Sequence, residues 1–366
     1  MKLLPVFRYL HVIVKFSRYF FSRLFFFIVS LASLSVNYSI YYFRKRVLGK
    51  SDQQARKMND GEYTDYLNGQ QNRRKAETDL YANSALEQKG EPTFNKGTLT
   101  EDNIHVNSLW IGNSLSKIEL LTLYSFIKQG HTFHLWTYEK LTNELPEEVI
   151  IEDANKILPQ EAIFFYNHIN KYGHGKGSVS GFSDIFRYKL LYEKGGWWVD
   201  MDVTCLKPLN VVAPYFFRKH HSLELVGNVM KAPIRSKLMM NCYQEAEAEV
   251  NENNTDWHKP IEILNKHVFK NNLQQYVFPF VSNVDDWNKI VDFVVGEKPI
   301  PQHYYFIHWM NEEWRSRNID KNDFRYRSAL AQLMIEGGLL KKPTLPITYF
   351  LNDLKHLVLM RIYYYS

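Results

Sequence analysis

The stretch "GGWWVDMDV", residues 195–203, decides the fold of this chain. A double glycine opens it, two tryptophans and a valine follow, and two aspartates stand one residue apart at its end. Trp and Val suit a pleated, half-buried strand. A strand points residues i and i+2 to one side, so Asp200 and Asp202 are expected to project together while Met201 points the other way. Two like charges so close are costly unless open water, strong hydrogen-bond donors or a cation accommodates them.

The residues before it read as a helix. "SDIFRYKLLYEKGG", residues 183–196, places Ser183 or Asp184 near the N-terminus, and its double glycine stops the helix and turns the chain sharply. Asp184, Arg187 and Tyr188 fall at i, i+3 and i+4 and so share a face, while Phe186, Leu190 and Leu191 are free to pack elsewhere. Further upstream, "HVNSLWIG" (105–112) is an apolar strand ending at Gly112. "SKIELLTLYSFIKQG" (116–130) carries Ile118, Leu121, Ser125 and Lys128 at helical spacing with Gly130 as its stop, and "HTFHLWTY" (131–138) alternates like a second strand. Strand, helix and strand within so short a span make a βαβ unit with a parallel pair. The expected class is α/β with a mostly parallel sheet, which binds ligands at the carboxyl ends of its strands.

The segment 183–202 thus brings three carboxylates and a guanidinium towards one crevice. A hard divalent cation is commonly held by one or two carboxylates together with substrate phosphates, so this set suits a metal-bound diphosphate, and a carboxylate beside an arginine suits sugar hydroxyls. An isolated Asp pair near a strand end is more often a solvated turn. Here Asp184, Arg187 and the double glycine stand in register with it. Trp197 and Trp198 read as core and sheet cover.

"SDIFRYKLLYEKGGWWVDMDV" (183–203) closely resembles the SD-x-x-R-Y…GG-x-[WY]-x-D-x-D segment of sugar-nucleotide-dependent glycosyltransferases that contain a DXD motif, of the family 32 and α-1,4-galactosyltransferase-like type. "SLWIG" (108–112) is similar to the first strand of that family. "IHWMNEEWR" (307–315) is similar to its His-x-Trp-Asn-x-x-Trp-Arg ending, with His308-Trp309-Met310-Asn311 offset by one residue. The resemblance implies a GT-A-like, Rossmann-type nucleotide-sugar-binding domain. It implies that Asp202 ligates Mn²⁺ or Mg²⁺ on the donor diphosphate and that Asp200 contacts donor ribose and sugar or the metal. Asp184 and Arg187, with Tyr188 beside them, would hold sugar hydroxyls. Trp110 would lie near the base and His308 near the metal or diphosphate. It also implies retention of anomeric configuration. On the residues alone, Trp110 reads equally as a buried Trp, and His308 as a satisfied core histidine.

The 366 residues divide unevenly. Residues 1–50 hold Lys2, Arg8, Lys15, Arg18, Arg23, Arg44, Lys45, Arg46 and Lys50 with no acidic counterpart, a large part of a net charge of +6. Residues 24–43 carry no charge, long enough to span a bilayer core. Arg8, His11, Lys15, Arg18 and Ser22, continued by Ser30, Ser33 and Asn37, instead suggest a helix lying in the interface. Either way 1–50 is expected to associate with a membrane. Residues 51–103 are polar and read as a linker or stem, 104–340 as the catalytic domain, and 341–366 as an apolar-basic tail that is either a last packed helix or a second membrane contact. Two cysteines, Cys205 and Cys242, exclude a disulfide framework and a four-cysteine zinc site.

The glycine-rich loop "KYGHGKGSVSG" (171–181) is not a P-loop, because Asn170 and Gly177 stand where Gly and Ser or Thr belong. Lys176 is its candidate phosphate contact. A metal-dependent phosphodiester enzyme would need further carboxylates from other strands, and Asp285, Asp286 and Glu312 lie in unrelated sequence contexts. A nucleic-acid binder would carry its basic residues on the globular body, so nucleic acid is not an expected partner; a non-catalytic membrane-surface protein is the other alternative. The expected function is transfer of a hexose from a nucleotide sugar, UDP-sugar first, to a glycan or glycolipid in polysaccharide, lipopolysaccharide or capsule biosynthesis. The expected location is the cytoplasmic face of a bacterial inner membrane, with a Golgi-type type II arrangement as the rival.

Overall fold

The computed structural model describes residues 94–95, 97–170 and 174–359. The expected membrane segment 1–50 and most of the stem lie outside them. Among the described residues no helix is long and apolar enough to cross a membrane.

In chain order the elements are α1 (Glu101–Ile104), β1 (His105–Trp110), α2 (Lys117–Lys128), β2 (Thr132–Thr137), β3 (Val149–Asp153), α3 (Ser180–Lys194), β4 (Gly196–Val199), β5 (Val203–Cys205), β6 (Phe216–His220) and β7 (Glu224–Ala232). Then follow α4 (Lys237–Glu249), α5 (Lys259–Lys270), β8 (Val277–Phe278), α6 (Trp287–Val294), β9 (Phe306–His308), α7 (Asn311–Ser316), α8 (Ala329–Glu336) and α9 (Pro346–Leu359). Seven strands form one mixed sheet in the order β3-β2-β1-β4-β7-β6-β8. The β3, β2, β1 and β4 pairings are parallel, and β7 runs antiparallel to both β4 and β6.

The expected βαβ unit is β1-α2-β2, with His105 opposite Thr132 and Trp110 opposite Thr137. A capping box starts its helix: Ser116 accepts from the backbone while Glu119 reaches back to the Ser116 N–H at 2.7 Å. Apolar side chains cover both faces of the sheet, as a parallel sheet requires. Leu123 and Phe126 of α2 join Val106, Phe133, Trp197 and Phe216 in one cluster. Phe182, Phe186, Leu190 and Leu191 of α3 join Trp136, Trp198, Met230 and Cys242 in the other.

The helix before the double glycine begins at Ser180, so Ser183 and Asp184 lie near its N-terminus. One expectation is corrected. The strand after the helix ends at Val199, and Asp200 to Asp202 form a turn. The cause lies in the pairing. The β4–β7 ladder stops at Val199↔Val229, and the Val203 N–H then donates to the Asp200 carbonyl at 3.2 Å, carrying the chain out of the sheet.

The end of α3 requires glycine. Gly195 has φ +67°, and a Cβ there would stand 2.6 Å from the Ile234 backbone nitrogen. Residues read as stem also belong to the body. Phe94 stacks on Tyr305 at 3.5 Å, and the fully buried Asn103 side chain accepts from Trp197 Nε1 and donates to the Val211 carbonyl. Polar composition concealed them, because Asn103 is buried by satisfying its amide rather than by being apolar.

Candidate active site

Three elements meet at the carboxyl ends of β1 and β4. The first is α3, whose Arg187 and Asp184 are both more than nine-tenths buried. Arg187 Nη2 lies 3.2 Å from Asp184 Oδ1 and 3.1 Å from Asp200 Oδ1, so one guanidinium joins the helix to the turn. Its planar face lies over Trp198, 5.1 Å from the ring centroid, and Trp198 Nε1 donates to the same Asp200 oxygen at 2.8 Å. Trp198 is therefore more than sheet cover: it supports Arg187 and fixes Asp200.

The second element is β7. Asp200 N–H donates to the Asn228 carbonyl at 2.8 Å. Asn228 is 6% exposed, yet neither its amide oxygen nor its amide nitrogen has a partner among the described residues, and Arg187 Nε is likewise unpaired. Asn228 lies in β7 where its pairing with β6 is interrupted, and Met230, two residues on, packs in the cluster of Trp198. A buried amide without a partner costs free energy that a hydrogen-bonding ligand recovers. The neighbouring Gly227 leaves room for the guanidinium, since a Cβ there would come within 3.0 Å of Arg187 Nη1.

The third element is the small sheet of β5 and β9, which pairs Val203 with His308. It sets His308 Nε2 3.3 Å from Asp202 Oδ2, while the Trp309 N–H donates to the Asp202 carbonyl at 2.8 Å. Met310 takes a left-handed conformation, φ 60° and ψ 62°, so that the Asn311 N–H donates to Asp202 Oδ2 at 2.6 Å. Left-handed backbone at a non-glycine residue is strained, and such strain gathers at functional sites.

These contacts separate the two aspartates. Burial, the largest single influence, would raise Asp202, but the charge and hydrogen bond of His308, the Asn311 N–H and the Lys321 charge together outweigh it and hold the carboxyl below its ordinary value. Burial raises Asp200, opposed by Arg187 and reinforced by the charge of Asp202. Burial pushes Asp184 up to about 6 against the pull of Arg187. His308 is buried, which would lower it, yet Asp202 and Asp285 together push it up to about 10.

A divalent cation fits this donor set only as an open site. Asp200 Oδ2 and Asp202 Oδ1 have no protein hydrogen bond among the described residues, and the His308 imidazole adjoins them. No group of three or more His, Cys, Asp or Glu side chains among the described residues closes a cage by itself. Two carboxylates completed by phosphate oxygens and water suit Mn²⁺ or Mg²⁺.

Trp110 stands at the end of β1 with Nε1 donating to the Ser114 carbonyl, and Lys321 Nζ sits 5.7 Å from its ring centroid. Lys321 also pairs with the fully buried Glu119 and reaches Asn311 Oδ1 at 3.2 Å, linking Trp110 to the Asp202 neighbourhood. Tyr188 is not brought in. It is fully buried, and its hydroxyl donates to the Pro260 carbonyl at 2.9 Å, so its place at i+4 from Asp184 serves the core. His174 pairs with Glu313 at 3.4 Å, and Lys176 is exposed.

Sequence reading missed Asn228, Trp198, Asn311, Lys321 and Asp285 as site residues. Only Trp198 and Asn311 lie inside recognised blocks, 183–203 and 307–315. Asp285 lies in an unrelated sequence context, and Arg218 and His308 hold it on the far side of the His308 ring from Asp202.

Residues 122–216 match a family model described as a glycosyltransferase sugar-binding region containing a DXD motif. The matched span includes Asp184, Arg187 and the Asp200–Asp202 pair, and the enzyme class it supports is a glycosyltransferase. Among solved structures the chain is similar to "PaToxG Glycosyltransferase", with 13% identity and a TM-score of 0.33 over 56% of this chain and 83% of that one. It is also similar to a transferase carrying cysteine-to-serine substitutions, with 11% identity and a TM-score of 0.32 over 56% of this chain and 94% of that one. No curated protein sequence matches the chain.

Proposed function

We propose that this protein is a metal-dependent, retaining hexosyltransferase with a GT-A-like fold. It would move a hexose from a nucleotide sugar, UDP-sugar first, to a glycan or glycolipid acceptor in polysaccharide, lipopolysaccharide or capsule biosynthesis. The observation that carries the reading is the Asp184–Arg187–Asp200 chain standing one residue from the Asp202–His308 pair. One half offers acceptors and donors for hydroxyls, and the other a carboxylate and imidazole for a metal-bound diphosphate.

In this reading Asp200 and Asp202, with His308 beside them, would hold Mn²⁺ or Mg²⁺. A cation bound there supplies charge neutralisation for the departing diphosphate. Asp184 and Asp200 accept from sugar hydroxyls, while Arg187 donates through Nε and keeps both carboxylates oriented. Asn228 can donate to one hydroxyl and accept from another, so its unpaired amide would be satisfied only with sugar in place. Trp110 would take the base, with Lys321 alongside. Retention and the hexose rest on the family resemblance. Membrane attachment rests on the basic and apolar composition of residues 1–50, and the cytoplasmic face of a bacterial inner membrane on the two cysteines, Cys205 and Cys242, a usage that suits a reducing compartment.

Calorimetric titration of the protein with UDP-, GDP- and dTDP-hexoses, with and without Mn²⁺, tests the reading. Mn²⁺-dependent binding of one donor supports it. The absence of binding by any donor would remove it.

A further inference from the structure

Asp202 has a supporting shell that reaches across the molecule. Arg218 of β6 is 2% exposed and spends all three guanidinium nitrogens on the segment 282–285. Nε donates to Ser282 Oγ at 2.7 Å and Nη2 to the Asn283 carbonyl. Nη1 and Nη2 bind the two oxygens of Asp285 at 2.7 and 2.8 Å. The segment then grips His308 twice. Asn283 exchanges hydrogen bonds with the His308 backbone, accepting from its N–H at 2.8 Å and donating to its carbonyl at 3.1 Å. Asp285 Oδ1 lies 2.8 Å from His308 Nδ1, and the opposite ring nitrogen faces Asp202 at 3.3 Å.

A role in folding alone explains this poorly. A buried arginine–carboxylate pair is weak evidence for stability, because desolvation offsets its attraction. Its geometry instead fixes everything about the imidazole: backbone by Asn283, ring plane and Nδ1 by Asp285, and Asp285 itself by a two-pronged arginine. A carboxylate behind an imidazole that faces a metal-type site orients the ring and sets which nitrogen is presented.

We propose that Asp285, anchored by Arg218, is a positioning residue that acts through His308 on cation binding at the Asp202 site. This rests on the transferase reading of that site and extends it to residues of β6 and the 282–285 segment.

The test is Mn²⁺ uptake by the full chain in the presence of UDP, read from the spin-resonance signal of the free ion. Asp285→Asn keeps the side-chain volume, and Arg218→Met/Asp285→Asn removes both buried charges so that neither is orphaned. Each is measured alone and in a His308→Ala background, with circular dichroism to verify the fold. The expected result is a loss of Mn²⁺ affinity of about 10–100-fold in the native background and almost none once His308 is gone. Where Asp285→Asn fails to fold, the double variant carries the comparison. Unchanged affinity in folded variants, or an equal loss in both backgrounds, would overturn the positioning role alone. Wild-type protein that takes up no Mn²⁺ with UDP would overturn the site reading with it.

Discussion

Arg187 and Asp200 meet at 3.1 Å, and this contact ties the helix before strand β4 to the turn after it. The two residues are separated in sequence by the helix end, the double glycine and the whole strand. Their meeting converts a local sequence pattern into a site. Arg187→Met should leave the buried Asp184 and the half-buried Asp200 without a counter-charge, at a cost of about 3 kcal/mol. Denaturant unfolding checks the stability. Donor turnover should fall by about 10²-fold or more, since a donor to the reacting group is lost.

Asn228 should behave in the opposite way. Its amide has no partner in the free protein, so Asn228→Ala removes an unsatisfied buried group and should leave stability unchanged or slightly raised. Donor affinity should fall about tenfold, the loss of a single good hydrogen bond. A variant that is both markedly destabilised and unimpaired in donor binding would contradict the assignment of Asn228 to the sugar.

Much of this was legible in the sequence. The βαβ unit, the helix stop at Gly195 and the joint placement of Asp184, Arg187, Asp200 and Asp202 follow from periodicity, turn chemistry and spacing, which are local properties. A shared helix face does not bring Tyr188 into the site, because its hydroxyl finds its partner in the Pro260 carbonyl. Asn228 and Asp285 were illegible for a different reason. Each is brought in by strand pairing or by a long-range ion pair, and no spacing in the chain encodes a contact made between distant segments. The turn at Asp200–Asp202 is not legible either, because composition does not reveal where the partner strand stops pairing.

His131 gives the protein a pH-sensitive joint away from the site. Its Nδ1 meets the Asn103 carbonyl at 2.9 Å, and its Nε2 accepts from the Leu209 N–H, so the buried ring is neutral. Burial lowers it from 6.5 to about 4. Below pH 6.5 the unfolded chain therefore takes up a proton that the folded ring refuses until about pH 4. Stability falls across that window by up to about 3 kcal/mol. Because Asp184, raised to about 6, contributes with the opposite sign in the same window, the fall is read as the difference between wild type and His131→Asn in unfolding followed between pH 7 and 4.

Gly195→Ala should destabilise the protein by about 3 kcal/mol or more. It combines a left-handed backbone with a Cβ 2.6 Å from the Ile234 nitrogen, and backbone at that point has no flexible side chain to move aside. A thermal midpoint within a degree of wild type would show that the turn has another way to close.

The central claim is that Asp200 and Asp202 hold a metal–nucleotide-sugar complex, and the most direct measurement is release of nucleoside diphosphate from a panel of UDP-, GDP- and dTDP-hexoses. The account predicts slow hydrolysis of one donor that requires Mn²⁺ or Mg²⁺ and is abolished in Asp202→Ala, with the variant still folded. Hydrolysis that proceeds equally without a divalent ion, or that survives unchanged in Asp202→Ala, would contradict it.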